Sequence, residues 1–180
     1  MFPLFTLFLT VLSLKAFSSL VSATLVNVTV DDSQTNGVSV IQYTPTGVWN
    51  DGLHCDGCTA HPDPENTFDG TWHDSTHLAG AGEDGLNFAT LEFQGVAIYV
   101  YCIIAHTSTS PDGNTDMTFS IDGNTVGSFS LAPTNQTTYD YNVLVYSSTD
   151  LSSSSHTFTL QNGRVGGAKS LVLLDYIVYT

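Results

Sequence analysis

Val96-Ala-Ile-Tyr-Val-Tyr-Cys-Ile-Ile-Ala105 is apolar on odd and even positions alike. A strand points successive side chains to opposite faces, so a run without alternation reads as a strand covered on both sides. Its ten residues fall well short of the roughly 20 a membrane-spanning helix needs. The stretch therefore predicts the central strand of two packed sheets. Working outward, residues 89–93 alternate, with Ala89, Leu91 and Phe93 on one side, and Met117, Phe119 and Ile121 alternate with polar neighbours. Residues 25–30, 38–43, 141–146, 157–160 and 171–179 read as further short strands, and helical periodicity is absent after residue 23. Asp-Gly, among the strongest short turn signals, occurs six times, at Asp51, Asp56, Asp69, Asp84, Asp112 and Asp122. The last two bracket one strand. Together these features predict an all-β fold in one domain over residues 24–180, an antiparallel β-sandwich or jelly roll.

The chain has 180 residues, 42% of them hydrophobic, enough for a real core and against a disordered chain. Seventeen acidic side chains face three basic ones, a net charge of −14. Nucleic-acid binding is excluded on that balance, because phosphate contacts need Lys and Arg. Anionic membrane surfaces are disfavoured for the same reason.

Residues 2–14 are almost wholly apolar and Val21-Ser22-Ala23 supplies the small residues of a cleavage site. The expected reading is a signal peptide over residues 1–23, with an extracellular chain of residues 24–180 and no membrane span in it. That part keeps 17 acids and two bases, a net −15. Secretion gives meaning to two glycosylation sequons, at Asn27 and Asn135. It also favours disulfides: Cys55 and Cys58 are placed to close a small loop, while Cys102 on its strand is an alternative partner for either. One long stretch, residues 44–85, fits no strand meander and holds both Trp, four of the six His and two Cys. Long irregular segments in compact domains tend to carry function.

Six spaced blocks bear a resemblance: Tyr43-Thr-Pro-Thr-Gly-Val-Trp49-Asn-Asp, Phe68-Asp-Gly-Thr-Trp72-His73-Asp74-Ser-Thr, Phe93-Gln-Gly-Val-Ala-Ile-Tyr99-Val-Tyr101, Phe119-Ser-Ile-Asp122-Gly123, His156-Thr-Phe-Thr-Leu160 and Leu174-Asp175-Tyr176-Ile-Val. In this order they resemble a large group of secreted or membrane-tethered proteins of basidiomycete fungi. The resemblance implies a galactose-binding-domain-like β-sandwich, the jelly roll of many carbohydrate-binding modules. It speaks to fold more than to function, since one fold hosts many roles.

Sugars present apolar C–H faces and many hydroxyls, so Trp beside Asp, Asn or His is suited to them. Trp49-Asn50-Asp51 and Trp72-His73-Asp74 are the candidate ligand-binding residues. The competing reading makes both Trp core anchors that pin the irregular segment, the usual role of large aromatics in loops. The resemblance further implies a structural calcium ion shared by acids near the first strand and one on the last, here Asp31, Asp32 and Asp175. Asp112, Asn114 and Asp116 carry part of a calcium-loop pattern, without its Gly or its distant Glu. His54, Cys55, Cys58 and His61 superficially offer zinc ligands, which secretion disfavours. No nucleophile elbow, zinc-protease motif or phosphate loop occurs. His73-Asp74 or His106 are the only general-base candidates. The expectation is a secreted, non-catalytic module recognising neutral glycans, with cell-wall polysaccharide among them. A structural or cell-surface interaction protein without a sugar site and a glycan-acting hydrolase are the alternatives.

Overall fold

The computed structural model describes residues 24–33 and 39–180, so the expected leader lies outside the described residues. Among the described residues eleven strands follow one another: β1 (Val28–Asp31), β2 (Gln42–Thr44), β3 (Asn50–Asp51), β4 (His73–His77), β5 (Asn87–Gln94), β6 (Ile98–Ala105), β7 (Thr115–Ile121), β8 (Asn124–Leu131), β9 (Tyr139–Ser148), β10 (Ser155–Asn162) and β11 (Ser170–Tyr179). Among the described residues no helix is long and apolar enough to cross a membrane.

The pairings state the topology directly. β4 pairs with β11, β5 with β10, β6 with β9 and β7 with β8, all antiparallel. These are the rungs of one long antiparallel ribbon, β4–β7 running out and β8–β11 running back. Successive rungs fall alternately into two sheets, ordered β3-β4-β11-β6-β9 and β2-β5-β10-β7-β8, with β1 added on β11. A ribbon wound in this way is a jelly-roll β-sandwich. The β7–β8 hairpin turns on Asp122-Gly123, both at positive φ (53° and 76°), the backbone that makes Asp-Gly a two-residue hairpin signal.

The main core lies between the sheets. Ala89, Leu91 and Phe93, Met117 and Phe119, and Phe158 and Leu160 point from the five-stranded sheet at Ile98, Val100, Cys102, Val172, Leu174 and Ile177 of the other. Cys102 is a buried free thiol there, and burial holds its pKa well above the ordinary value. A second cluster covers the outer face of the six-stranded sheet: Trp72 and Ala60 pack on Ile103, Ala105, Leu171 and Leu173. The double-sided apolar run of β6 is thus explained, since the irregular segment forms a third layer over its second half.

The structure corrects several expected boundaries. The first strand begins at Val28 rather than residue 25, and the second is described only over Gln42–Thr44. β8 was not expected at all. Its Asn-Thr-Val-Gly-Ser-Phe-Ser-Leu is exposed at six of eight positions, so burial imposes no period on it.

Gly52 marks where the two ends of the covering segment cross, against Trp72. Its amide donates to Trp72 O at 2.9 Å, and a Cβ there would stand 1.9 Å from Trp72 Nε1. Gly52→Ala must displace either the indole or the backbone. It is expected to lower stability by about 1–3 kcal/mol, read as a lower midpoint of urea unfolding. An unchanged midpoint would mean that Trp72 does not hold the layer down.

Candidate functional site

The covering layer is pinned at three places. Tyr139 Oη accepts the His61 amide at 2.9 Å, Tyr141 Oη accepts the Asp63 amide at 2.8 Å, and Asp175 Oδ1 accepts the Phe68 amide at 2.8 Å. Cys55 and Cys58 are joined in a disulfide that closes a small loop at the margin of the layer. Between this loop and strands β3, β4 and β11 lies a cleft of about 410 Å³ lined by Asn50, Asp74, Thr59, Thr76 and the two half-cystines, among others. Its volume is within the range of about 300–1,000 Å³ common to small-ligand sites.

Asn50 and Asp74 are opposite each other in the β3–β4 register, which puts both side chains on one face. Asn50 Nδ2 donates to Asp74 Oδ1 at 2.7 Å, and the Cys58 sulfur stands 3.7 Å from the same oxygen. Burial raises the Asp74 pKa, against the pull of the Asn50 hydrogen bond and the nearby His73 and His61. The lining supplies an amide, threonine hydroxyls and a single carboxyl, with no Lys or Arg.

A second polar centre lies beneath the Phe68 end of the layer. Along one side of β11, β4 is the neighbour up to Leu174 and β1 from Tyr176 onward. Asp175 sits at that change of neighbours, at a register shift against β6, and is fully buried. Its carbonyl accepts the Asp32 amide at 3.1 Å. Asp32 is itself buried: Thr71 Oγ1 donates to its Oδ1 at 2.6 Å, and its Oδ2 contacts His73 Nδ1 at 2.6 Å and Ser33 Oγ at 2.8 Å. The His73 ring stacks on Tyr43, with centroids 4.3 Å apart. Burial first, then the charge of Asp32, lifts Asp31 to about 6. Burial likewise lifts Asp175 to about 7, helped by the charges of Asp32 and Asp31 and opposed by the Phe68 amide.

The structure thus places Asp31, Asp32 and Asp175 in one acidic cluster. The fit to a cation is partial. Both Asp32 oxygens already have partners, and among the described residues no group of three His, Cys, Asp or Glu side chains is arranged to hold a metal. Asp175 Oδ2, however, is buried without a hydrogen-bond partner among the described residues.

The six expected ligand residues separate. Asn50 and Asp74 meet in the cleft. Asp51, the exposed last residue of β3, is 2.9 Å from His54 Nδ1. His73 and Asp74, adjacent in a strand, point to opposite faces, so His73 joins the acid cluster instead. The indoles are corrected as platforms: Trp49 is 8% exposed in the main core against Tyr43, and Trp72 is 2% exposed under the covering layer. Neither offers a free face for stacking. The zinc set is not formed, because the disulfide removes both thiolates. Asp112, Asn114 and Asp116 are held in local bonds, Asp112 to the Asn114 amide, Asn114 to the Lys169 carbonyl and Asp116 to Arg164. His106 Nε2 is 2.8 Å from Asp140 Oδ2, away from the cleft lining. Thr59, Thr76 and Thr71 escaped the sequence reading, since Thr is everywhere in this chain and nothing distinguishes these three.

Fold and cleft together define a jelly-roll sandwich with a polar cleft at the edge of an added layer. No protein-family model and no curated protein sequence matches the chain. Among solved structures it is similar to a family 35 carbohydrate-binding module from Clostridium thermocellum, with TM-score 0.49 and 12% identity over 86% of this chain and 97% of the other. It is also similar to part of an exo-beta-1,3-galactanase from Phanerochaete chrysosporium, with TM-score 0.44 and 15% identity over 85% of this chain and 29% of that one.

The acid cluster makes a pH-dependent contribution of known sign. Asp31 and Asp175 bind protons in the folded chain more tightly than at the ordinary carboxyl value of 3.8. Their stabilising protonation is complete below that value and is lost as pH rises through about 6 to 7. In metal-free buffer the urea midpoint is expected to rise as pH is lowered from about 7.5 to about 5. Asp175→Asn is expected to flatten that rise, and an identical slope in wild type and variant would show that Asp175 does not titrate in this range.

Proposed function

We propose that the chain is a secreted, non-catalytic module that recognises neutral glycans, such as cell-wall polysaccharide, in the cleft beside the Cys55–Cys58 loop. The observation that carries the reading is the chemistry of the lining: Asn50, Thr59 and Thr76 set amide and hydroxyl groups around Asp74, with no Lys or Arg. Sugar hydroxyls both donate and accept, and such a set can satisfy them in both senses. An anionic ligand would meet Asp74 and a strongly acidic molecule with nothing to neutralise it. Recognition on this reading is by hydrogen bonding rather than by stacking, since both indoles are buried. The apolar leader and the disulfide support secretion, and the exposed Asn27 and Asn135 are its glycosylation acceptors.

Glycan arrays followed by calorimetry test the reading. Purified protein is expected to bind neutral glycans, and Asp74→Ala or Asn50→Ala to weaken binding about tenfold or more, as for loss of a hydrogen bond to a charged group. The burial of both Trp favours one rival, a cell-surface interaction or structural protein without a sugar site. Absence of binding at high protein concentration, with and without calcium, would decide for that rival.

We also propose a structural calcium ion at Asp31 and Asp175, supported by the unpartnered Asp175 Oδ2. Calcium takes oxygen ligands only, and this oxygen is free to serve. Calcium chloride is expected to raise the melting temperature and EDTA to reverse it. Asp175→Asn should abolish the response, and a wild-type melting temperature indifferent to calcium would end the proposal.

A further inference from the structure

Asp74 lines the cleft with 5% of its surface exposed. Its Oδ1 is held by the Asn50 amide and stands beside the Cys58 sulfur, which in a disulfide has no hydrogen to give. Among the described residues no hydrogen bond reaches its Oδ2. The lining adds Asn50 Oδ1 and the hydroxyls of Thr59 and Thr76, so the cleft offers acceptors more than donors.

Nothing in the lining balances the charge of this carboxyl. Of the two bases in residues 24–180, Arg164 is bound to Asp116 and Lys169 is not in the lining. The positive groups that Asp74 senses are His73 and His61. His73 points to the opposite face of β4, where it meets Asp32, and His61 is exposed outside the lining. A ligand that fills the cleft removes the remaining water from Asp74. Sugar hydroxyls then supply hydrogen bonds but no charge, and burying an uncompensated carboxylate is costly. A protonated amine supplies several N–H donors together with the missing charge. The acidity of residues 24–180, 17 acids against two bases, attracts such a group from solution as it repels an anionic one.

We propose that the cleft seats an amino sugar, its protonated amine against Asp74, within an otherwise neutral glycan chain. The inference rests on the glycan reading of the cleft and specifies the sugar seated at Asp74.

Calorimetry with four ligands tests it: glucosamine hexamer, N-acetylglucosamine hexamer, cellohexaose and hexalysine. The glucosamine hexamer is expected to bind about tenfold or more tighter than either neutral hexamer and than hexalysine. Asp74→Asn keeps the shape of the side chain and is expected to remove the preference over the neutral hexamers. Glu92→Gln removes the same charge from an exposed site on the other sheet, and is expected to change affinity less than about twofold. Should Asp74→Asn fail to fold, the four ligands on the wild-type chain decide alone. Equal binding of the three sugars overturns the amine inference and leaves the glycan reading standing, whereas binding of no sugar ends both. Hexalysine binding as tightly as the glucosamine hexamer also overturns it, since a lysine-bearing partner then fits as well. So does an equal loss in Glu92→Gln and Asp74→Asn, the mark of attraction to the acidic surface as a whole.

Discussion

The hydrogen bond from the Phe68 amide to Asp175 Oδ1, 2.8 Å long, joins the outermost layer of the molecule to its most central strand. Its importance follows from how β11 is buried. Val172 and Leu174 face the main core while Leu171 and Leu173 face outward, and all four are at most 6% exposed. A sandwich of two sheets leaves its outer faces in water, so the outward pair needs a further cover. The segment from Gly52 to Trp72 provides it, but contains little regular structure to hold its own backbone polar groups. Short turns satisfy some of those groups, and the amides of His61, Asp63 and Phe68 are held by side chains of the sheet below, Tyr139, Tyr141 and Asp175.

The same arrangement produces both polar centres. Where the cover meets the sheet fully, apolar side chains close the gap. At one margin, by the disulfide, the fit is incomplete and leaves the cleft. At the other, β11 changes neighbours from β4 to β1, and the ladder has a break that side chains fill. A buried carboxyl at such a break is costly unless it is bonded or neutral. Asp175 is half provided for: one oxygen holds the Phe68 amide and the other has no partner. Its pKa is lifted towards neutrality for this reason, and a proton or a cation would meet the same need.

The sandwich was legible because burial writes period two into β5, β7 and β10 and removes it from β6 and β11. The three acids of the cluster were legible only through resemblance, since nothing local marks Asp31, Asp32 and Asp175 as neighbours. The bulk of the site was not legible. Trp49-Asn50-Asp51 and Trp72-His73-Asp74 read alike whether the indole is a platform or an anchor, because the deciding fact is whether another layer lies over it. His73 and Asp74 looked like one polar pair, yet the alternation of a strand sends them to separate centres. β8 was invisible for the opposite reason: exposed on most of its length, it has no buried face to impose a pattern.

The acidity of the chain also reads differently in three dimensions. With two bases in residues 24–180, most acids have no Lys or Arg to meet, and four of the six histidines are placed against carboxylates instead. Asp51 is beside His54, Asp32 beside His73, Asp140 beside His106 and Asp122 beside His156. Histidine gains its charge on mild acidification, where lysine would carry it throughout. His156 is pulled upward by its bonds to Asp122 and to the Ser152 carbonyl, so its charge persists to higher pH than in the unfolded chain. That contribution has the same sign as the one from Asp31 and Asp175, since the folded molecule binds more protons than the unfolded chain at each of these sites. At these three sites protonation therefore favours the folded molecule as the medium turns acidic.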